Sequence, residues 1–167
     1  MYTKIPTLLE GTELRALVRE NADEFLALVD YDREHLNQFG EQVADEYPDL
    51  ASVVQSFDGA GLAFHQHRLR FGIWNGEVLV GCIQLINSDC STGCSVGYWV
   101  GGQHVRRGFA LAALYALTEH ALYQYAFCEA LVHHDNVGSR LVLQKARYSR
   151  SIRRGHGELL LYEKWPQ

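Results

Sequence analysis

With 167 residues, 47% of them hydrophobic and 21% charged, the chain has the size and composition of one soluble globular domain able to bury a substantial core. It holds no stretch of about 18 uninterrupted apolar residues, and its opening Met1-Tyr2-Thr3-Lys4-Ile5-Pro6 lacks the apolar centre of a signal peptide, so we expect a cytoplasmic protein with no membrane partner. The net charge of −5 is segregated: residues 1–58 hold 13 acids and 4 bases, a balance of −9, whereas residues 59–167 hold 7 acids and 11 bases, a balance of +4; the negative total disfavours nucleic acid as a partner.

Residues 14–18 alternate in the manner of an opening strand, and Asn21 is placed to cap a helix whose apolar stripe is Ala22, Phe25, Leu26, Leu28 and Val29. A short helix is expected over 34–39. Another begins at Pro48, with Leu50, Val53, Val54 and Phe57 on one side and an interruption over 58–61, which reads Asp-Gly-Ala-Gly. From Leu69 the pattern turns to strands. Residues 69–74 and 78–86 flank Asn75-Gly76, a strong hairpin signal, and a loop over 87–93 leads into a strand over 94–100, completing an antiparallel meander of three strands.

A helix then starts near Gly108, and a strand over 130–133 follows with helix on either side, as in a parallel crossover. Asn136 caps the next helix, whose apolar positions are Val137, Leu141, Val142 and Leu143, and residues 159–162 form the last strand. The chain shows no repeats or linkers, so residues 1–167 are expected to form a single domain. Cys82, Cys90, Cys94 and Cys128 fall at irregular spacings without the second ligand pair that zinc requires, and none of the eight histidines supplies it. Reduced structural thiols and no metal are expected, Cys128 included, since no base-and-orienter pattern stands beside it.

The most informative stretch runs from Gly97 to Glu119. Val96, Tyr98, Trp99 and Val100 read as strand, and apolar residues at helical spacing follow Gly108. A strand therefore runs through a glycine-bearing loop into a helix. Such a loop presents consecutive backbone N–H groups, and the helix behind it adds unpaired N–H groups at its positive dipole end, which together suit a pyrophosphate. Gly108 lets the backbone approach a ligand, and small Ala110 keeps the next turn open. The plain alternative is a strand-to-helix turn that binds nothing. Arg140, Lys145, Arg147, Arg150, Arg153 and Arg154 make the same half of the chain basic, which suits a polyanionic cofactor, while the acidic half either attracts a cationic amine or shows solvated helix faces.

The run Val105-Arg106-Arg107-Gly108-Phe109-Ala110 is similar to the acyl-CoA loop of the GNAT N-acetyltransferases, written Gln/Arg-x-x-Gly-x-Gly/Ala; Gly108 and Ala110 match it, and Val105 departs from it. Asp135-Asn136-x-x-Ser139 resembles the Asn-x-x-Ser that opens the following helix in the Rim-type branch, that of the ribosomal-protein N-terminal acetyltransferases. The opening Leu14-Arg15 through Asp32-Arg33-Glu34-His35-Leu36 also looks like that branch. A second departure is Ala146-Arg147-Tyr148, where the family ends the helix with Gly-Phe. The resemblance covers nearly the entire chain. It implies an α/β fold of GNAT type: a mixed sheet in which an antiparallel meander is followed by a parallel βαβ crossover, with the central sheet splayed.

The resemblance further implies acetyl transfer from acetyl-CoA to a primary amine by direct attack on the thioester. The cofactor would be held by Val105, Arg106, Arg107, Gly108, Phe109 and Ala110 at the loop. Arg106 and Arg107 supply charge there, and backbone N–H groups offset the loss at Val105. Tyr98, Trp99 and Val100 would offer backbone groups to the pantetheine arm, with an N–H near Trp99 or Val100 for the developing oxyanion. Asn136 would hydrogen-bond the pantetheine, and Ser139 would donate to the departing thiolate; read without the family, they are a helix N-cap and a first-turn hydroxyl. The place before Gly97-Tyr98, often a carboxylate in related enzymes, holds Ser95 and Val96. Glu158, at the start of the last strand, is then a general-base candidate beside His134, Asp135 and His156, with a strand-edge surface carboxylate as its plain alternative; an amine that arrives deprotonated needs no strong base. His133 reads with His134 as a strand-end residue.

The acceptor is expected to be the N-terminal α-amine of a protein or peptide, or a small-molecule amine, chosen by the segments 31–47 and 87–93. The competing class is an acyl-CoA-binding sensor or interaction module without turnover, which Val105, Arg147 and the missing carboxylate favour; Asn136 and Ser139 favour catalysis. Trp165 either packs on the body of the protein or joins two subunits as a homodimer.

Overall fold

Strand-forming and helix-forming stretches alternate along the chain in a computed structural model that describes residues 4–39, 42–58, 68–87, 92–152 and 157–166. The elements are β1 (Lys4–Pro6), β2 (Thr12–Ala16), α1 (Ala22–Tyr31), α2 (Arg33–Asn37), α3 (Leu50–Asp58), β3 (Arg68–Asn75), β4 (Val78–Asn87), β5 (Cys94–Val100), α4 (Phe109–Ala121), β6 (Cys128–His133), α5 (Val137–Lys145), β7 (Ser149–Arg150) and β8 (Leu159–Lys164). Short 3₁₀ turns stand at Arg19–Asn21, Val43–Glu46 and Gly102–His104. The eight strands form one sheet in the order β1-β2-β3-β4-β5-β6-β8-β7. All pairs are antiparallel except β5 with β6, which the α4 crossover makes parallel. The expected mixed sheet with a meander and one βαβ crossover is therefore present, although the meander extends to five strands.

Helices α4 and α5 cover one face of the sheet. Phe109, Leu114, Leu117 and Leu143 pack there on Phe71, Ile83, Val96, Val132 and Tyr162. Helices α1, α2 and α3 cover the other, where Phe25, Val29, Leu36 and Val53 pack on Trp74, Leu79 and Cys82. Phe25 centres this second core, meeting the rings of Tyr47, Phe57 and Trp99 edge-on at 5.0, 5.1 and 5.5 Å. Because both faces are covered, β3 is buried at six consecutive positions instead of alternating.

Several boundaries move from their expected places. The opening strand is Thr12–Ala16, two residues earlier, because it pairs with both β1 and β3; three-residue β1 has too little periodicity to stand out. Asn21 does precede α1, yet its side chain turns back to accept from Val18 N–H at 3.1 Å and caps nothing in the helix. The second helix is Arg33–Asn37 rather than 34–39. Helix α3 starts at Leu50 because Asp49, not Pro48, caps it, accepting from Ser52 N and Oγ at 2.8 and 2.7 Å; these bonds hold the Asp49 carboxyl below its ordinary range. The interruption over 59–61 lies outside the described residues. In the β3–β4 hairpin Asn75 pairs with Val78, so the loop is Gly76-Glu77, one residue later than expected, with Gly76 at φ 59° in the first central position.

Helix α5 has a narrower buried stripe than its sequence suggests. Leu143 is buried, while Val137 and Leu141 are 57% and 50% exposed. Beyond it Arg147 adopts φ 65°, the left-handed closing conformation for which the Gly of a Gly-Phe ending is suited, and Tyr148 N–H reaches back to Leu143 O at 2.9 Å. Tyr148 stands in place of Phe because its hydroxyl has a buried partner, Thr118 Oγ1, at 2.7 Å. Trp165 stacks on Phe127 of the same chain at 4.7 Å.

Cys82, Cys94 and Cys128 are free and buried; Cys90 lies outside the described residues. Cys94 and Cys128 are register partners on β5 and β6, and their sulfurs stand 3.4 Å apart. The contact with Cys128 and burial push the Cys94 thiol up.

A Cβ on Gly81 would lie 2.3 Å from the Trp99 carbonyl oxygen on β5, whereas one on Gly76 would meet nothing within 4 Å. Gly81→Ala should therefore cost about 3 kcal/mol by forcing β4 from β5. Gly76→Ala should cost only about 1 kcal/mol for its left-handed backbone. Urea denaturation of the two variants beside the parent protein checks the difference.

Candidate active site

The parallel pairing of β5 with β6 consists of two register pairs, Cys94 with Cys128 and Ser95 with Glu129. Ser95 Oγ reinforces the second pair by donating to Glu129 Oε1 at 3.2 Å. Beyond it, β5 continues along β4 to Val100 opposite Gly81, and β6 continues along β8 to His133 opposite Leu159. The sheet therefore opens between residues 96–100 and 130–133, as the sequence led us to expect. Tyr98, Trp99 and Val100 stand on one side of this opening.

At its outer end the chain turns through Gly102–His104 into α4. Arg106 and Gly108 both take left-handed backbone, at φ 60° and 89°, so the loop turns its amides outward. The helical bonds of α4 begin with Ala112 N–H to Gly108 O, so the N–H groups of Phe109, Ala110 and Leu111 have no partner within the helix. No acid occupies the first turn. Arg106 and Arg107 are exposed, and the Arg107 guanidinium lies 5.1 Å from the Phe109 ring centroid. Burial holds His104 toward its neutral form, with nearby Arg107 acting in the same direction. Asp32, after α1, accepts from Gly102 N–H and braces this loop from the far side of the sheet. The arrangement is an anion cradle that a diphosphate would fill. Val105 stands at the start of this loop and is 37% exposed.

Across the opening, Asn136 caps α5 by accepting from Ser139 N–H at 3.0 Å, which leaves its amide nitrogen directed elsewhere. Ser139 Oγ donates to Tyr98 Oη at 2.9 Å, and the Tyr98 hydroxyl donates to the Ser139 carbonyl at 3.2 Å. The structure thus joins two of the expected residues into one hydroxyl pair spanning β5 and α5.

Glu158 stands just before β8 and is 74% exposed. Its Oε2 lies 3.0 Å from His133 Nε2. His133 Nδ1 accepts from Asp135 N–H at 3.2 Å, so Nε2 carries the proton and donates to Glu158. This hydrogen bond holds the Glu158 carboxyl below its ordinary range. The Phe39 ring lies over His133 at 6.3 Å, so the pair abuts the 31–47 segment. His134 bonds the Glu158 carbonyl through Nδ1 at 3.2 Å and contacts Asp135 Oδ1 at 3.2 Å. Ligand atoms of His133, His134 and Asp135 lie within 4.8 Å of one another, and in this structure they are occupied by these contacts. His156, Arg153 and Arg154 lie outside the described residues.

On the α1–α3 face of the opening lies a cleft of about 200 Å³ lined by Val43, Glu46, Tyr47, Cys82, Gln84, Gly97, Tyr98 and Trp99. Glu46 reaches it from the 3₁₀ turn Val43–Glu46. Arg33 secures that turn through the carbonyls of Ala44 and Tyr47, at 2.8 and 2.7 Å, and Asn37 Oδ1 accepts from Ala44 N–H at 2.9 Å. Desolvation pushes the Tyr47 hydroxyl far above its ordinary value and Cys82 up to about 11. The Trp99 side chain belongs to this cleft and to Phe25, so only its backbone faces the opening between the strands.

Sequence reasoning missed Glu46, Gln84, Asp32 and the hydroxyl of Tyr98. Glu46 carries no local signal, because only the folding of 31–47 over β5 makes it a cleft residue. Arg70, in β3 between Leu69 and Phe71, is the signal that could have led to Gln84: a cation inside an apolar strand requires a partner beside it. A larger hollow of about 260 Å³, lined by residues including Tyr115, Lys164 and Trp165, lies at the far end of α4 and contains none of the expected site residues.

The model of the acetyltransferase (GNAT) domain family matches residues 12–149. No curated protein matches the chain by sequence. Among solved structures, the chain is similar to Mycobacterium smegmatis RimJ in complex with CoA-disulfide, at 22% identity over 97% of this chain and 87% of that one, with a TM-score of 0.82. It is similar to the Salmonella typhimurium acetyltransferase that modifies the N-terminal serine of ribosomal protein L7/L12, at 17% identity over 98% and 99% and a TM-score of 0.78. The microcin C7 self-immunity acetyltransferase MccE, in complex with acetyl-CoA and AMP, is also similar, at 13% identity over 95% and 94% and a TM-score of 0.80. At these identities the likeness is one of fold. No described helix is long and apolar enough to cross a membrane.

The His133–Glu158 contact has a directly observable consequence. Glu158 should titrate below its ordinary 4.5, and His133→Ala should raise that midpoint, as read by carboxyl carbon resonances in an NMR titration. Because the folded value is the depressed one, the contact stabilises the fold above the ordinary carboxyl pKa and ceases to do so as pH falls through the folded value.

Proposed function

Because the chain belongs to the GNAT acetyltransferase family, we propose that it transfers the acetyl group of acetyl-CoA to a primary amine by direct attack on the thioester, with residues 1–167 acting as one domain. The observation that carries this reading is the early end of the β5–β6 pairing beside a loop with two left-handed residues at a helix N-terminus. Acetyl-CoA supplies the activated acetyl group. The fit is good: amides of the 105–110 loop, with Arg106 and Arg107, hold the diphosphate; backbone of Tyr98, Trp99 and Val100 meets the pantetheine arm; and the free amide nitrogen of Asn136 donates to it. A cytoplasmic setting agrees with this supply and with the free thiols.

Ser139 Oγ holds the proton that the leaving sulfur takes up, and the Tyr98 hydroxyl, which accepts from it, keeps the serine side chain in place. Thiolates leave readily, so this acid contributes modestly. On the acceptor side Glu46 attracts the ammonium into the cleft. Glu158, kept ionised by His133, receives the proton at the mouth. The likeness to ribosomal-protein acetyltransferases supports an N-terminal α-amine as acceptor, and the likeness to MccE keeps small-molecule amines in the trial set.

Thiol release from acetyl-CoA, followed with N-terminal peptides, polyamines and aminoglycoside-like amines, tests the proposal. Release should depend on the acceptor, and Ser139→Ala should lower kcat by roughly tenfold to a hundredfold with little change in KM for acetyl-CoA. Binding without release on every amine would support the sensor alternative, and absence of binding would overturn both. Glu46→Gln should raise KM for cationic acceptors several-fold, about 1 kcal/mol, with kcat nearly unchanged.

A further inference from the structure

Arg70, Gln84 and Gly97 stand side by side on β3, β4 and β5, since Arg70 is the register partner of Gln84 and Gln84 that of Gly97. The row ends where β5 parts from β6. Arg70 is 2% exposed. Its described partners are Ser56 Oγ at 2.7 Å, the Tyr47 ring centroid at 5.6 Å, and Gln84 Oε1, reached from Nε and Nη2 at 3.3 and 3.2 Å. None of them is a carboxylate.

A guanidinium only donates, so the end of the Gln84 amide facing Arg70 must be its oxygen. The NH₂ end then points the other way along the row. A Cβ on Gly97 would lie 3.4 Å from Gln84 Nε2, so the glycine leaves that nitrogen open to the cleft. Gln84 and Gly97 both line the cleft, and Nε2 donates to no described residue.

We propose that Gln84 is a specificity-determining residue that selects acceptors carrying a carbonyl near the amine, as a peptide N-terminus does, by donating from Nε2 to that carbonyl. Arg70 is the positioning residue that fixes which end of the amide faces the cleft. The inference rests on the reading above that this cleft receives the amine. It assigns the acceptor class within that reading: a peptide end, whose first carbonyl accepts from Gln84 while its ammonium is drawn by Glu46, in preference to a protonated polyamine, which brings only donors to a site that offers a donor.

The informative variant is Gln84→Glu. It keeps an oxygen on Arg70 and gives that buried cation a counter-charge, so the fold is retained, while the group facing the cleft changes from donor to acceptor. Calorimetric binding of a short peptide amide and of an alkylamine of similar length, both in the presence of CoA, should show the peptide weakened about tenfold relative to the alkylamine. Arg70→Lys, which loosens the grip on the amide, should lower the same ratio, a readout that packing alone does not move. An unchanged ratio in Gln84→Glu, or no peptide binding to the parent protein, overturns the inference. Thiol release measured on the same samples separates the two readings: a shifted binding ratio without peptide-dependent release supports the role of Gln84 and removes acetyl transfer, while release with an unchanged ratio does the reverse.

Discussion

Everything functional in this chain depends on two parallel strands that stay paired for only two register positions. A sheet that paired throughout would satisfy its own backbone and leave no place for an extended ligand between strands. Here β5 remains bonded to β4 and β6 to β8 along their lengths, so each half-sheet is independently supported while the seam between them opens. The α4 crossover enforces this arrangement, because the chain leaves β5 at the open end and must return parallel. The 105–110 loop, the hydroxyl pair of Tyr98 and Ser139, and the Glu46 cleft are three sides of that one gap.

The two faces of the sheet divide the labour, and the charge asymmetry of the sequence records the division. The basic half supplies the loop, α4 and α5, whereas the acidic half supplies α1, α2 and the 3₁₀ turn bearing Glu46. Asp32 is one link between them, since it belongs to the acidic segment yet accepts from Gly102 in the loop ahead of α4. The Asp32–Gly102 bond therefore ties the helices on one face of the sheet to the loop that leads into α4 on the other.

Local chemistry made much of this legible. Strand β5, the loop from Val105 to Ala110 and the Asn136 cap are each written in a few consecutive residues, and all of them stand where expected. Features that depend on distant partners were not legible. Strand β1 exists because β2 offers it an edge, Asn21 bonds backward because it closes the 3₁₀ turn that Val18 opens, and Glu46 gains significance only from the docking of 31–47. Arg147 shows the converse: a residue poorly suited to left-handed backbone adopts it all the same, because the bonds that end α5 and the buried Tyr148–Thr118 pair fix the chain on either side.

The contact of Cys94 with Cys128 sits at the root of the seam. Mechanically it is a fulcrum. From Ser95 to Val100 the stretch of β5 that borders the gap extends about 17 Å at about 3.3 Å per residue and is carried by β4, so a tilt of about 3° of that half-sheet at the root moves its tip by nearly 1 Å. The two sulfur atoms at the root thus bear on the width of the gap without lining it. A change of side-chain volume there would retune the aperture as a hinge pin sets the swing of a door, without altering any group that lines it.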